Sequence, residues 1–162
     1  MDDLDAMYQE IILDAAKARN GEGRLERFQG ESFQVNTTCG DEVNLQVELS
    51  SDGKRIERIG WTGDGCSISR ASIGIMIDML EGRSVREAAD LYDVFRALMD
   101  SRGHALDEEI EDALGDATAF AGVAKFPMRI KCALLGWMAM RDATDKAVAA
   151  LSPAASEGGV NV

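Results

Sequence analysis

The stretch that decides the fold is Asp41-Glu42-Val43-Asn44-Leu45-Gln46-Val47-Glu48-Leu49, followed by Ser51-Asp52-Gly53-Lys54 and Ile56-Glu57-Arg58-Ile59-Gly60-Trp61. Val43, Leu45, Val47 and Leu49 alternate with polar residues, the period of a strand with one buried face. Ser51-Asp52-Gly53-Lys54 is a turn of the hairpin kind, and residues 56–61 form the strand it leads to. Upstream, Phe33 and Val35 mark another strand.

On either side the period changes to that of a helix. Residues 4–17 put Leu4, Met7, Ile11 and Ala15 on one face, with Asp2 and Asp3 suited to the N-terminus. Residues 18–31 are charged and glycine-bearing, and read as a loop. After Cys66, the positions Ile68, Ser72, Ile75 or Met76, and Met79 recur at helical spacing until Gly82. Ser84 with Glu87 forms a capping box for a helix to about Met99. Residues 101–125 read as one short helix, around 107–114, and then loop. Pro127 suits the first turn of a last helix to about Ala149. The order predicts an α+β fold: a small three-stranded antiparallel sheet packed against helices, with one domain over 1–150. The Ala-, Gly- and Ser-bearing tail, 151–162, reads as disordered.

The chain has 162 residues, 46% hydrophobic and 28% charged, which is ordinary for a soluble protein able to bury a core. Its formal net charge of −12 excludes generic nucleic-acid binding, which needs a cationic surface. Residues 78–116 hold twelve acidic and four basic side chains and read as a solvated face. Met1-Asp2-Asp3-Leu4-Asp5 is acidic where a signal peptide is basic, and no apolar run approaches a membrane span. Three cysteines without a secretion signal point to a reducing, cytoplasmic setting.

Each cysteine sits in a short motif able to hold a metal, and three thiolates plus Asp41 would supply the four ligands of a tetrahedral zinc site. Cys39 and Asp41 flank Gly40, so both could reach one ion, although taken alone Cys-Gly-Asp is a weak signal that an unpaired thiol in a turn explains better. Cys66 follows Gly63-Asp64-Gly65 and opens a helix, where amides and the helix dipole favour a thiolate. The bland alternative is a small residue capping that helix. Glycines around Asp64 point to a close backbone approach. Cys132 shares a helix face with Met128, Leu135 and Ala139, as a core cysteine would. Around it Lys125, Arg129 and Lys131 could offset a negative site or dock an acidic partner. The cysteine spacings match no zinc finger. His104 has no motif around it and reads as a surface-loop residue.

Taken together, Asn36-Thr37-Thr38-Cys39-Gly40-Asp41, Gly63-Asp64-Gly65-Cys66-Ser67-Ile68-Ser69 and the run from Phe126 to Trp137 resemble the iron–sulfur cluster assembly proteins of the IscU/NifU superfamily. Met7-Tyr8-Gln9-Glu10-Ile11-Ile12-Leu13-Asp14 agrees, and the resemblance runs from about 4 to 147. It is closest to the SufU branch: IscU-type proteins carry a histidine where this chain has Lys131, and residues 101–125 resemble the SufU insertion. Ala15 to Asn20 and Thr37-Thr38 depart from the family's usual residues without touching a cysteine or Asp41.

The resemblance implies a SufE/NifU-like fold and zinc held by Cys39, Asp41, Cys66 and Cys132. It implies a zinc-dependent sulfurtransferase that takes persulfide sulfur from a SufS-type, pyridoxal-phosphate cysteine desulfurase and feeds downstream SUF components. In that scheme a desulfurase histidine replaces Cys39 on zinc, freeing Cys39 to accept sulfur, and Arg129 balances the site charge or contacts the partner. The alternatives are a scaffold for a [2Fe–2S] cluster on the same thiolates, or a structural zinc module. These ligands could also hold iron.

Overall fold

The computed structural model describes residues 3–38, 40–104 and 107–151. Cys39 and residues 152–162 of the tail expected to be disordered lie outside the described residues, and Leu151, expected to begin that tail, is the last residue of the final helix. The order is α1 (Asp3–Ala18), β1 (Gly30–Asn36), β2 (Asp41–Leu49), β3 (Ile56–Asp64), α2 (Ser67–Leu80), α3 (Val85–Asp100), α4 (Glu108–Leu114), a 3-10 helix (Gly115–Lys125) and α5 (Pro127–Leu151). The strands form one antiparallel meander, β1-β2-β3, as an α+β chain with this strand pattern requires.

In β2 the apolar phase is buried throughout, with Val43, Leu45 and Val47 fully buried and Leu49 nearly so, and on the other phase Gln46 is buried too. Register carries the pattern across, with Val47 opposite Ile59 and Leu45 opposite Trp61. In β1 the phase is the reverse of the one its apolar residues suggest. Phe33 and Val35 are exposed, while Gly30, Ser32 and Asn36 face inward. The reason is α5, which lies directly on this strand. A Cβ on Gly30 would fall 1.8 Å from the Ala143 carbonyl oxygen, and the Ser32 hydroxyl donates to Asp142 on the same helix. Small and polar residues are what that close approach admits.

α2 is buried almost all round and forms the centre of the helical layer. It meets α5 through small residues. Ser72 donates to the Ala133 carbonyl at 2.6 Å, and a Cβ on Gly136 would sit 2.4 Å from Cγ1 of Ile73. The capping box of α3 forms, with both the Ser84 and Glu87 side chains bonded to backbone amides. Farther along, Phe95 stacks on Trp137 at 4.7 Å and meets Phe120 edge-on at 5.8 Å.

Two expectations need correction. In α1 the buried side chains are Ile12 and Ala16, with Tyr8, Ile11 and Ala15 partly buried, whereas Met7 is half exposed. The buried stripe is thus rotated from the expected face. Residues 115–125, expected as loop, form the 3-10 helix and bury Ala117, Ala119, Phe120, Val123 and Ala124. Among the described residues no helix is long and apolar enough to cross a membrane.

Candidate metal centre

The β1–β2 hairpin, the start of α2 and the second turn of α5 converge at one end of the sheet. Asp41 opens β2 opposite Asn36, Cys66 is the N-cap of α2, and Cys132 lies in α5. Ligand-type atoms of Asp41, Cys66 and Cys132 all lie within 4.8 Å of one another. Asp41 and Cys132 are buried and Cys66 is exposed. Three of the four residues expected to bind metal thus come together, and the fourth, Cys39, falls outside the described residues.

The Gly-Asp-Gly segment that delivers Cys66 is shaped by close backbone approach, but to the protein itself. Gly63 has φ +152°, and a Cβ there would lie 2.2 Å from the Glu42 carbonyl oxygen. A side chain at Gly65 would press on Ser69 Cβ at 3.0 Å. Arg70, one turn into α2, donates to the Gly65 carbonyl at 2.8 Å and ties the segment down.

Asp41 is the hub. Its Oδ1 accepts the Cys66 N–H at 3.1 Å, satisfying one of the amides at the start of α2 that have no helical carbonyl to bond. Its Oδ2 accepts from Ser69 at 2.5 Å and from the Cys66 thiol at 3.4 Å. Burial pushes the Asp41 carboxyl up, and the hydrogen bonds from Ser69, Cys132 and Cys66 more than offset this, holding it below the ordinary carboxylate value. The Cys132 thiol also reaches the Met128 carbonyl at 3.7 Å, and the Asn36 amide lies 4.0 Å from the Cys132 sulfur.

Sequence reasoning assigned no role to Ser69. Its signal was spacing: three residues after Cys66, it lies on the same face of α2.

Arg129 lies in the first turn of α5, three residues before Cys132. It is exposed, its guanidinium 4.8 Å from the Phe126 ring centre, and it borders a cavity of about 470 Å³ between α1, the start of α2, the 3-10 helix and α5. Tyr8, Ile12, Ile68 and Val123 line that cavity, with Lys125 at its edge. Lys131 and His104 are exposed.

The family model of the NifU-like N-terminal domain matches residues 7–133, a span that takes in Asp41, Cys66 and Cys132. The chain belongs to that family. Among its relatives, the iron–sulfur cluster assembly scaffold protein IscU of Streptococcus pyogenes is 38% identical over 141 residues, covering 86% of this chain and 84% of that one. The zinc-dependent sulfurtransferase SufU of Bacillus subtilis is 37% identical over 146 residues, covering 88% and 92%. A crystal structure described as an iron–sulfur cluster assembly scaffold protein for the SUF system, from Fervidobacterium islandicum, superposes with a TM-score of 0.76 at 32% identity, covering 86% and 97%.

Proposed function

We propose that this protein is a zinc-dependent sulfurtransferase of iron–sulfur cluster assembly, which accepts persulfide sulfur on Cys39 from a SufS-type cysteine desulfurase. The observation that carries the reading is the meeting of Asp41, Cys66 and Cys132 within 4.8 Å in a chain of this family. The donor set fits the ion. Thiolate and carboxylate ligands of one tetrahedral zinc stand about 3.5 Å apart, and Cys66 Sγ lies 3.4 Å from Asp41 Oδ2. Cys39, two residues before Asp41, completes the four. Bound zinc supplies a Lewis acid that keeps thiolates deprotonated and protected until a partner arrives.

Cys66 and Cys132 are fixed by α2 and α5, so neither sulfur can travel to a partner without moving a helix. Cys39 precedes the hairpin strand and is the acceptor in this reading. Its thiolate attacks the outer sulfur of the donor persulfide; an S–S bond forms at Cys39, the donor's S–S bond breaks, and the donor cysteine leaves as thiolate. No external oxidant or reductant is needed. Arg129, exposed in the first turn of α5, would balance the site charge or contact the partner in this reading.

The test is sulfide or alanine release by a SufS-type desulfurase, with and without the zinc-loaded protein. Stimulation should be lost with Cys39→Ala and with metal-stripped protein. A Cys39→Ala protein that stimulates as well as the parent contradicts the reading.

A scaffold that assembles a [2Fe–2S] cluster on the same thiolates is the second reading, favoured by the likeness to the streptococcal scaffold. Lys131, where IscU-type proteins carry histidine, counts against it. An iron–sulfur spectrum that survives size exclusion, with cluster passing to an apo-protein, would favour it.

A further inference from the structure

Ser69 is 2% exposed, and its hydroxyl stands among all three described members of the cluster. Oγ is 2.5 Å from Asp41 Oδ2, 3.7 Å from Cys66 Sγ and 3.3 Å from the Cys132 carbonyl oxygen. A hydroxyl has one proton to donate. The shorter distance places it on Asp41, and the Cys132 carbonyl is a second acceptor within reach of a rotation about the C–O bond.

Resting on the zinc reading above, we infer that Ser69 is the positioning residue of the metal centre: it aims Asp41 and lets the carboxylate engage a cation without stranding a buried donor. The Cys66 amide holds Oδ1 and Ser69 holds Oδ2, so the carboxylate is pinned at both oxygens before any ion arrives. With a cation bound, the Cys132 carbonyl at 3.3 Å would offer the Ser69 hydroxyl a second acceptor, so the donor would stay bonded. An alanine there would take away the shortest donor to Oδ2 and leave the carboxylate's side-chain bonds to thiols, groups that must lose their protons to bind metal. Partners that orient a ligand in this way typically set metal affinity by about 10- to 100-fold.

Ser72 provides the internal control. It lies on the same helix, is 1% exposed, and donates to the α5 carbonyl of Ala133 instead of to Asp41. Zinc affinity would be measured by competition with a chromophoric chelator for the parent, Ser69→Ala and Ser72→Ala, alongside denaturant unfolding of the metal-free proteins. Ser69→Ala should bind zinc about 10- to 100-fold more weakly, and Ser72→Ala within about twofold of the parent, although both lose a buried hydroxyl. Where Ser69→Ala gives no folded protein, Ser69→Thr and Ser69→Val serve instead, being similar in shape and differing in the hydroxyl; only the threonine variant should keep parental affinity. Ser69→Ala binding as tightly as the parent, or Ser72→Ala losing as much, overturns the inference while leaving zinc binding intact. A parent protein that takes up no zinc overturns the ligand reading and the inference with it.

Discussion

Two clusters are built on α5, within two turns of each other, and they are opposite in character. Around Trp137, the Phe95 ring stacks on the indole and meets the Phe120 ring edge-on. Around Cys132, Asp41, Ser69 and Asn36 are buried polar groups tied to each other and to sulfur. The first releases free energy by leaving water. The second costs free energy to bury unless every group is bonded. The aromatic cluster therefore holds the fold, and the polar cluster is held by it. Gly136 and Ser72 mark the seam where α2 and α5 come close enough for both.

If that division is right, perturbations should separate into those that lower stability and those that lower metal binding. Trp137→Ala removes a fully buried ring and should cost about 3–5 kcal/mol in denaturant unfolding. Zinc stoichiometry of the fraction that remains folded should stay unchanged. Removal of zinc tests the other side. At a hundredfold excess over its Kd, zinc should contribute about 2.7 kcal/mol to stability, seen as a lower Tm after chelation. Equal melting with and without zinc would mean that the polar cluster is not where the ion binds.

Gly63→Ala joins the two categories, because it strains the backbone that carries Cys66. The positive φ and the approach to Glu42 predict a loss of roughly 1–3 kcal/mol together with weaker zinc binding. The mildest change is Ser84→Ala, which removes the α3 cap remote from the cluster. It should cost about 1 kcal/mol and leave zinc affinity untouched. A Ser84→Ala protein with impaired zinc binding would break the separation.

What could be read from the sequence followed from how local each feature is. The period of β2, the Ser84–Glu87 box and Pro127 are each fixed by neighbours within a few residues, and each stands where expected. The inward face of β1 could not be read that way, because it is set by α5 more than 100 residues later. The 3-10 helix escaped notice because its repeat near three residues leaves no apolar stripe of period 3.6, and Gly115 and Gly122 look like loop punctuation. Cys66 and Cys132 stood out because the chain holds three cysteines, each in a short motif, and Asp41 because it follows Cys39 by two residues among 29 acidic side chains that otherwise carry no such mark. Ser69 did not, because a serine in a helix acquires meaning only when a strand brings Asp41 to it.

In the proposed transfer, sulfur enters on Cys39 while Cys66 and Cys132 remain fixed. The direct measurement is peptide mass mapping of the zinc-loaded protein after incubation with a SufS-type desulfurase and cysteine, without reductant. The account predicts the mass of one added sulfur atom on the peptide carrying Cys39 and none on those carrying Cys66 or Cys132. Added sulfur on either of those two peptides, or none on any, would contradict it.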